Sequence, residues 1–331
     1  MDYDTDKLAL PAYPFYPMKL SSILFAFFMC NLAYSQEKSF KNEFGFRSDN
    51  DSYLAYGQDQ YYTNGLILSY RHALNQEGIH RRLAKKTCEI EAGQLMYNPS
   101  TGKINNIREV DRPFAAYLYA GGKFNWFFKN EQLIEFAVNL GTIGPKALGK
   151  EVQEGLHEAV GFYRISGWEY QVNNETGINT SLRYSTLIER KQPDNDFTLN
   201  TYANIGTTFS GAGAGILFRA GRINKLFNSV STNSRIVNSR TDSLPAKEIF
   251  FFTRPMLHYV AYDATIQGGM FLRDKGPVTF DPKKFQYSQE FGINYAVDRW
   301  TLNFSIIFKS RDVKTQDTPH QYGSAMIYYR F

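Results

Sequence analysis

Apolar and polar residues alternate with a period of two along much of this chain. In the segment 299–310 the even positions carry large apolar side chains: Trp300, Leu302, Phe304, Ile306 and Phe308. The segments 285–297 and 131–143 show the same alternation. Because successive side chains of a strand point to opposite faces, these segments predict strands that are apolar on one face only.

Twelve segments of this kind follow one another along the chain. They cover 40–48, 61–73, 87–97, 114–128, 131–143, 177–190, 195–207, 211–222, 247–262, 285–297, 299–310 and 321–331. An even number of strands, each roughly 10 to 15 residues long, is typical of bacterial outer-membrane barrels. The last segment ends in an aromatic residue, Phe331, and would pair with the first strand to close the wall. The sequence therefore predicts an all-β fold, a transmembrane antiparallel β-barrel of about twelve strands.

Composition favours this barrel over a soluble secreted β-sandwich, which would show similar alternation. The chain contains 23 Tyr and 27 Phe, whereas the outward faces of a soluble sandwich should be polar. The mean hydropathy of -0.41 is low for a helical membrane protein. In a barrel every second residue faces a polar lumen, so a low average is expected.

The lengths of the predicted connections suggest which end of the barrel faces outward. The long connections are 49–60, 98–113, 144–176, 271–284 and 311–320. If both termini lie in the periplasm, all of these loops are extracellular, as outer-membrane barrels require. The Ser- and Asn-rich segment 223–246 is an exception, since it would be a long periplasmic loop and suggests a miscounted strand. Residues 146–162 have apolar side chains at helical spacing and predict a short helix in the third outer loop.

The N-terminal region has the features of an export signal. A basic start at Met18-Lys19 precedes an apolar run over 20–33, followed by the small residue Ser35. We interpret 18–35 as a signal peptide, because the run is too short for a good spanning helix. Residues 1–17 are then a non-native extension that precedes the true start, and 36–331 form the barrel domain.

Charge and cysteine content limit the possible partners. The net charge is +5, with no basic cluster or nucleic-acid motif, so we expect no nucleic-acid partner. Cys88 is the only cysteine after the predicted signal peptide, which excludes an internal disulfide bond. We expect a monomer in the outer membrane.

Several polar residues that could support hydrolysis fall on the predicted outer loops. Asn50 and Asp51 begin the first loop, and Gln153 and His157 lie four positions apart on one face of the predicted helix. A hard cation takes carboxylate and amide oxygens as ligands, while an imidazole can deprotonate a water molecule. This combination is typical of a metal-assisted hydrolase.

Five short motifs occur in a fixed order along the chain. They are Asn50-Asp51; Tyr62-Thr63-Asn64-Gly65; Asp111-Arg112-Pro113-Phe114; Gly144-Pro145 with Gly149, Gln153 and His157; and Gly167-Trp168 with Gln171 and Asn174-Glu175. In this order they resemble the outer-membrane lipid A 3′-O-deacylase family, from about residue 40 to the C-terminus. Three positions depart from the family pattern: Tyr97-Asn98-Pro99, the segment 111–117, and Ala147, which replaces a serine common after Gly-Pro. These departures affect the expected substrate position and acyl preference.

The resemblance implies a twelve-stranded barrel that hydrolyses the 3′ acyl ester of lipid A, the lipid anchor of lipopolysaccharide, with Ca²⁺ as cofactor. By resemblance, His157 is the general base, and Asn50 and Asp51 lie at the metal. Thr63 matches an essential threonine, and Gln153 would align the base or the substrate. The active site would face the extracellular side.

Chemistry adds four further candidates to those from the family. Glu175 is a possible additional metal ligand, because carboxylate oxygens suit a hard cation. Arg112, Lys146 and Lys150 could bind the phosphates of lipid A, and an arginine can make a two-pronged contact.

Other interpretations of the same residues remain open. Each motif alone could be structural, since Asp49-Asn50-Asp51 is also a good turn sequence. The chain could then be a catalytically silent barrel, serving as a channel or as a structural or adhesive protein. An outer-membrane phospholipase is a third possibility, although no Gly-x-Ser-x-Gly elbow supports a serine mechanism.

Overall fold

Twelve antiparallel strands form a closed barrel in the computed structural model, which describes residues 39–54, 59–238, 244–245 and 247–331. The strands are β1 Asn42–Asn50, β2 Tyr62–Ala73, β3 Leu83–Tyr97, β4 Ala115–Phe128, β5 Gln132–Ile143, β6 Glu175–Gln192, β7 Asn195–Gly206, β8 Phe209–Arg222, β9 Lys247–Asp263, β10 Phe285–Val297, β11 Trp300–Lys309 and β12 His320–Arg330. Each strand pairs with the next along the chain, and β1 pairs with β12. The predicted fold class and strand count are confirmed. The predicted extension 1–17 and signal peptide 18–35 lie outside the described residues.

Among the described residues, two α-helices accompany the strands, α1 over Gly149–Val160 and α2 over Ala264–Gln267. Within the described residues, neither helix has the length and apolar character needed to cross a bilayer. Helix α1 confirms the helix predicted over 146–162 but is shorter, because a 3-10 turn over Pro145–Ala147 precedes it and Gly161 ends it with φ 74°. A glycine in this left-handed conformation commonly caps a helix C-terminus.

The two faces of the wall differ as the alternation predicts. Leu140, Ile178, Leu257 and Ile293 are at least half exposed on the outer face. Such a band of outward apolar side chains suits contact with lipid. The opposite face of each strand is turned toward the barrel interior.

Charged side chains fill the interior as paired groups. Arg71 Nε donates to Glu89 Oε2 over 2.7 Å, and Lys123 Nζ lies 3.1 Å from Glu89 Oε1 and 2.5 Å from Glu91 Oε2. Buried charges need such pairing, because an isolated ion loses the solvation that water gives it. A cavity of about 500 Å³ remains among these groups.

The segment 224–238 folds into the barrel at the end where β1 begins and β12 ends, and we call it the inner plug. Its backbone is held by side chains of the wall: Lys85 Nζ donates to the carbonyl oxygens of Ser234 and Ile236 over 2.8 and 3.1 Å. Glu248 accepts the N–H of Val230 over 2.9 Å. Residues 230–233 line the interior cavity. The suggestion of a miscounted strand is therefore wrong. The connection 223–246 is long because its first part occupies the lumen.

We expect the inner plug to make the barrel non-conducting. Lys85→Met removes its anchoring hydrogen bonds and should produce ion conductance in planar bilayers that the unchanged protein lacks. Lys86→Met is the matched control, because the neighbouring residue of a strand points to the opposite face. Steady conductance through the unchanged protein would contradict this prediction and favour the passive channel.

Candidate functional site

The end of β1 and the start of β2 place three predicted site residues together at the long-loop end, which is the barrel end opposite the start of β1 and the end of β12. Asn50 is directly opposite Asn64 in the β1–β2 register, and Asp51 begins a 3-10 turn immediately after β1. The pairing of β2 with β3 shifts between Tyr62 and Asn64, which leaves Thr63 in an irregularity of the strand. Such bulges reorient a side chain locally. The Thr63 hydroxyl donates to Asp59 Oδ1 over 2.9 Å.

Helix α1 supplies two more of the predicted residues from one face. Gly149, Gln153 and His157 are spaced four apart and are the buried residues of the helix. A Cβ atom at Gly149 would lie only 2.5 Å from the Trp168 ring and from Ala116 of β4, so glycine permits this close approach. The prediction that Gln153 and His157 share a helix face is confirmed by this packing.

His157 is held through both ring nitrogens. Nδ1 lies 2.7 Å from the Tyr163 carbonyl oxygen, which can only accept, so Nδ1 carries a hydrogen. Nε2 lies 3.0 Å from Asp59 Oδ2. The Tyr163 hydroxyl donates to the same carboxylate oxygen over 2.6 Å. Asp59 therefore connects the histidine, Tyr163 and Thr63.

Asp59 belongs to none of the motifs in the sequence, and sequence reasoning missed it. It lies in the predicted loop 49–60, four positions before Thr63, and 104 positions before Tyr163. In the sequence, the acidic residue shortly before the Tyr-Thr-Asn-Gly motif was the feature that could have marked Asp59 as a site residue. Only the folded chain shows which histidine it meets.

The Asp51 carboxylate is buried and only partly satisfied. Its Oδ2 accepts the Gln60 N–H over 2.7 Å, while Oδ1 has no hydrogen-bond partner within the described ranges. Burial and, to a smaller extent, the neighbouring Asp59 carboxylate together raise the pKa of Asp51 to about 8, against the lowering effect of the hydrogen bond from the Gln60 N–H. A desolvated acid beside a second acid favours the protonated form unless a cation is present.

An orphaned carboxylate oxygen of this kind fits a hard cation such as Ca²⁺, which binds oxygen ligands. The described part of the chain contains no group of three or more His, Cys, Asp or Glu side chains placed to hold a metal. A cation at Asp51 would thus need amide, backbone or water oxygens to complete its coordination. Asn50 is adjacent in sequence, and its Oδ1 accepts the Ser52 N–H over 2.7 Å.

Glu175 lies apart from this group. It begins β6, which is five strands from β1 around the wall. Its carboxylate oxygens accept the N–H groups of Met270 and Phe271 over 2.7 and 2.9 Å. The structure assigns Glu175 to holding the connection between β9 and β10 and does not bring it to Asp51.

The three predicted phosphate-binding residues fall into two groups. Lys146 and Lys150 are exposed near α1, where an anionic group can reach them. Arg112 is fully buried; its guanidinium donates to Thr265 Oγ1 over 2.9 Å and lies 4.3 Å from the centre of the Tyr97 ring. This placement corrects the surface position expected for Arg112, because its donors hold the rim loops together. Lys103 was not among the predicted phosphate-binding residues. Its Nζ lies 4.5 Å from the centre of the ring of Tyr163, the residue that contacts Asp59 and His157.

The fold and the site together define a β-barrel of the outer-membrane type with a buried histidine–carboxylate site beneath a rim helix. The sequence matches the family model described as "Outer membrane protein LpxR" over residues 21–331. The chain belongs to this family, and the family indicated by the five motifs is confirmed. The protein is accordingly an outer-membrane barrel.

Among solved structures, LpxR from Salmonella typhimurium matches with a TM-score of 0.68 and 19% sequence identity, covering 87% of this chain and 100% of that chain. The β domain of the Bordetella autotransporter BrkA matches with a TM-score of 0.42 and 9% identity, covering 89% of this chain and 99% of that chain. The translocator domain of NalP from Neisseria meningitidis also has a TM-score of 0.42, at 7% identity, with 90% and 91% coverage. A comparison with curated proteins gave no match.

Proposed function

We propose that this protein hydrolyses the ester that links an acyl chain to the 3′ position of lipid A in the outer leaflet. The observation that carries the proposal is the His157 imidazole held between Asp59 and the Tyr163 carbonyl, beside Asp51 and Thr63. Membership of the LpxR family supports lipid A as the substrate.

The hydrogen-bond pattern supports His157 as the general base. Since Nδ1 donates to the Tyr163 carbonyl, the neutral ring has its basic lone pair on Nε2. Nε2 faces Asp59 Oδ2 at 3.0 Å, so the His157–Asp59 pair would together accept a proton from water, and the carboxylate would stabilise the imidazolium that results. Tyr163 and Thr63 donate to Asp59 and hold it in position. General-base catalysis of this kind contributes roughly 10²–10⁴-fold to the rate.

Asp51, with Asn50 beside it, would hold the proposed Ca²⁺. When bound, the cation would polarise the ester carbonyl and stabilise the negative charge that develops on its oxygen. The Oδ1 of Asp51, which has no hydrogen-bond partner among the described residues, supports this role. Glu175 is too far around the wall to be part of the proposed ligand set.

The surface near α1 supports an orientation with the long-loop end outside the cell. Lys146 and Lys150 could bind lipid A phosphates there, and Lys103 offers a further cation beside Tyr163. Leu156 and Val160 on the exposed side of the helix are 37% and 62% exposed, which suits contact with acyl chains. We propose that the protein acts as a monomer on lipid A of the same membrane.

Mass spectrometry of lipid A from cells with and without this protein tests the proposal. The expected product has lost one 3′ acyl chain, and the free fatty acid should be recovered. In detergent, purified lipid A should compete as substrate against a glycerophospholipid. Release of fatty acid from the phospholipid alone would replace the proposal with the phospholipase alternative, and no release from either would favour the silent barrel.

A further inference from the structure

Gln153 of α1 has an amide whose orientation is set by a neighbour. The Trp168 indole Nε1–H can only donate, and it lies 2.9 Å from the Gln153 side chain. The amide atom that faces it is therefore the oxygen, Oε1. Trp168 is itself fixed, because it is 2% exposed, lies against Gly149 and has its ring centre 5.2 Å from that of Phe114. Nε2 of Gln153 must then point away from Trp168.

The amide nitrogen of Gln153, which is turned away from Trp168, is a buried donor without a partner among the described residues. The residue is 3% exposed, and Nε2 has no hydrogen-bond partner among the residues that the structure describes. A buried donor without an acceptor is costly, and native proteins rarely keep one without a purpose. Gln153 precedes His157 by one helical turn on the same buried face. A donor so placed is available to an acceptor that arrives with the substrate.

We propose that Gln153 Nε2 donates a hydrogen bond to the carbonyl oxygen of the scissile ester, and that Trp168 is the positioning residue that aims it. This inference rests on the proposed function. The water oxygen bonds to the ester carbon, a water proton passes to the His157–Asp59 pair, and the carbonyl electron pair moves to the oxygen that Gln153 contacts. When the carbonyl re-forms, the bond to the sugar oxygen breaks and His157 returns the proton to that oxygen.

If Gln153 donates to the carbonyl oxygen, removing this donor should lower kcat and leave substrate binding nearly unchanged. Removing one donor to an oxyanion lowers kcat by about 10²–10³-fold, because the bond strengthens as charge develops. Gln153→Met and Gln153→Glu should both show this loss with KM changed only a few-fold. Gln153→Glu is the sharper variant, since its carboxylate still accepts from Trp168 but does not donate. Trp168→Phe should lower kcat less, because the amide remains but is free to turn.

Gln94→Met is the matched control. Gln94 is also a buried glutamine and contacts the same loop, but its Nε2 already donates to the Ala147 carbonyl over 2.5 Å. The kcat of Gln94→Met should stay within a few-fold of that of the unchanged protein. Resistance of each barrel to unfolding on heating in SDS checks that the variants are folded.

The pH profile separates this role from support of the histidine. An amide does not titrate, so Gln153→Met should leave the midpoint of the pH dependence of kcat unchanged. An unchanged kcat, an effect on KM alone, or a displaced midpoint would each overturn the inference while the proposed function stands. An unchanged protein with no lipid A deacylase activity would instead remove the proposed function.

Discussion

His157→Ala is expected to lower the rate of acyl-chain release from lipid A by roughly 10²–10⁴-fold. The substitution removes Nε2, the nitrogen beside Asp59, together with its capacity to take a proton from water. The barrel should remain folded, because the ring makes its contacts within the rim loops and takes no part in strand pairing. The rate is measured with purified protein and lipid A in detergent, with the product identified by mass spectrometry.

The control for this substitution is His80→Ala. His80 is exposed in the connection between β2 and β3, at the opposite end of the barrel, and should be replaceable without effect. Asp59→Asn should give a partial loss, since its single amide oxygen can accept from only one of Tyr163 and Thr63 and the neutral amide no longer favours the imidazolium. Wild-type activity in His157→Ala would exclude the proposed base.

Chelation of divalent cations is expected to abolish lipid A hydrolysis, and added Ca²⁺ should restore it. Asp51→Asn should be inactive and should not respond to Ca²⁺, because the substitution neutralises the ligand with the free oxygen. A loss of about 10²–10³-fold or more corresponds to removing one stabiliser of the developing charge. Full activity of the unchanged protein in excess chelator would exclude the cation.

The thermal stability of Asp51→Asn tests the proposed cation site without a measurement of activity. Because the pKa of Asp51 is raised to about 8 in the folded chain, the unfolded carboxyl ionises near pH 4 while the folded one stays protonated. Without a cation, the free energy of unfolding should therefore fall as the pH rises from about 4 to about 8. In chelator, Asp51→Asn should raise the unfolding temperature at pH 8 and have little effect at pH 4. With Ca²⁺ the unchanged protein should be the more stable one.

The interior of the barrel bears on the channel alternative. Charged groups of adjacent strands are paired inside the lumen, and the inner plug is held by Lys85 and Glu248 of the wall. Conductance appearing only in Lys85→Met would show that the plug blocks the passage. This experiment and the lipid A assay address the two rival classes separately.

The periodicity along the chain was sufficient to predict the strands, their number and the rim helix. Alternation of apolar and polar residues is a local property that depends only on the direction of each side chain, so all twelve segments were predicted within a few residues. The largest difference is at β3, which begins at Leu83 instead of residue 87. Strands joined in chain order pair with their neighbours, and closure of β12 on β1 follows from the need to cover the edges.

The contacts between polar groups far apart in the sequence could be identified only in the folded chain. Asp59 contacts residues about a hundred positions away, Arg112 is buried by distant rim loops, and Glu175 binds the connection between β9 and β10. The inner plug is a hydrophilic segment whose position depends on partners in several strands. Sequence patterns do not predict these contacts, because a hydrogen bond or ion pair depends on the separation of two atoms in space. The periodic pattern along a chain indicates only which face of an element each residue occupies.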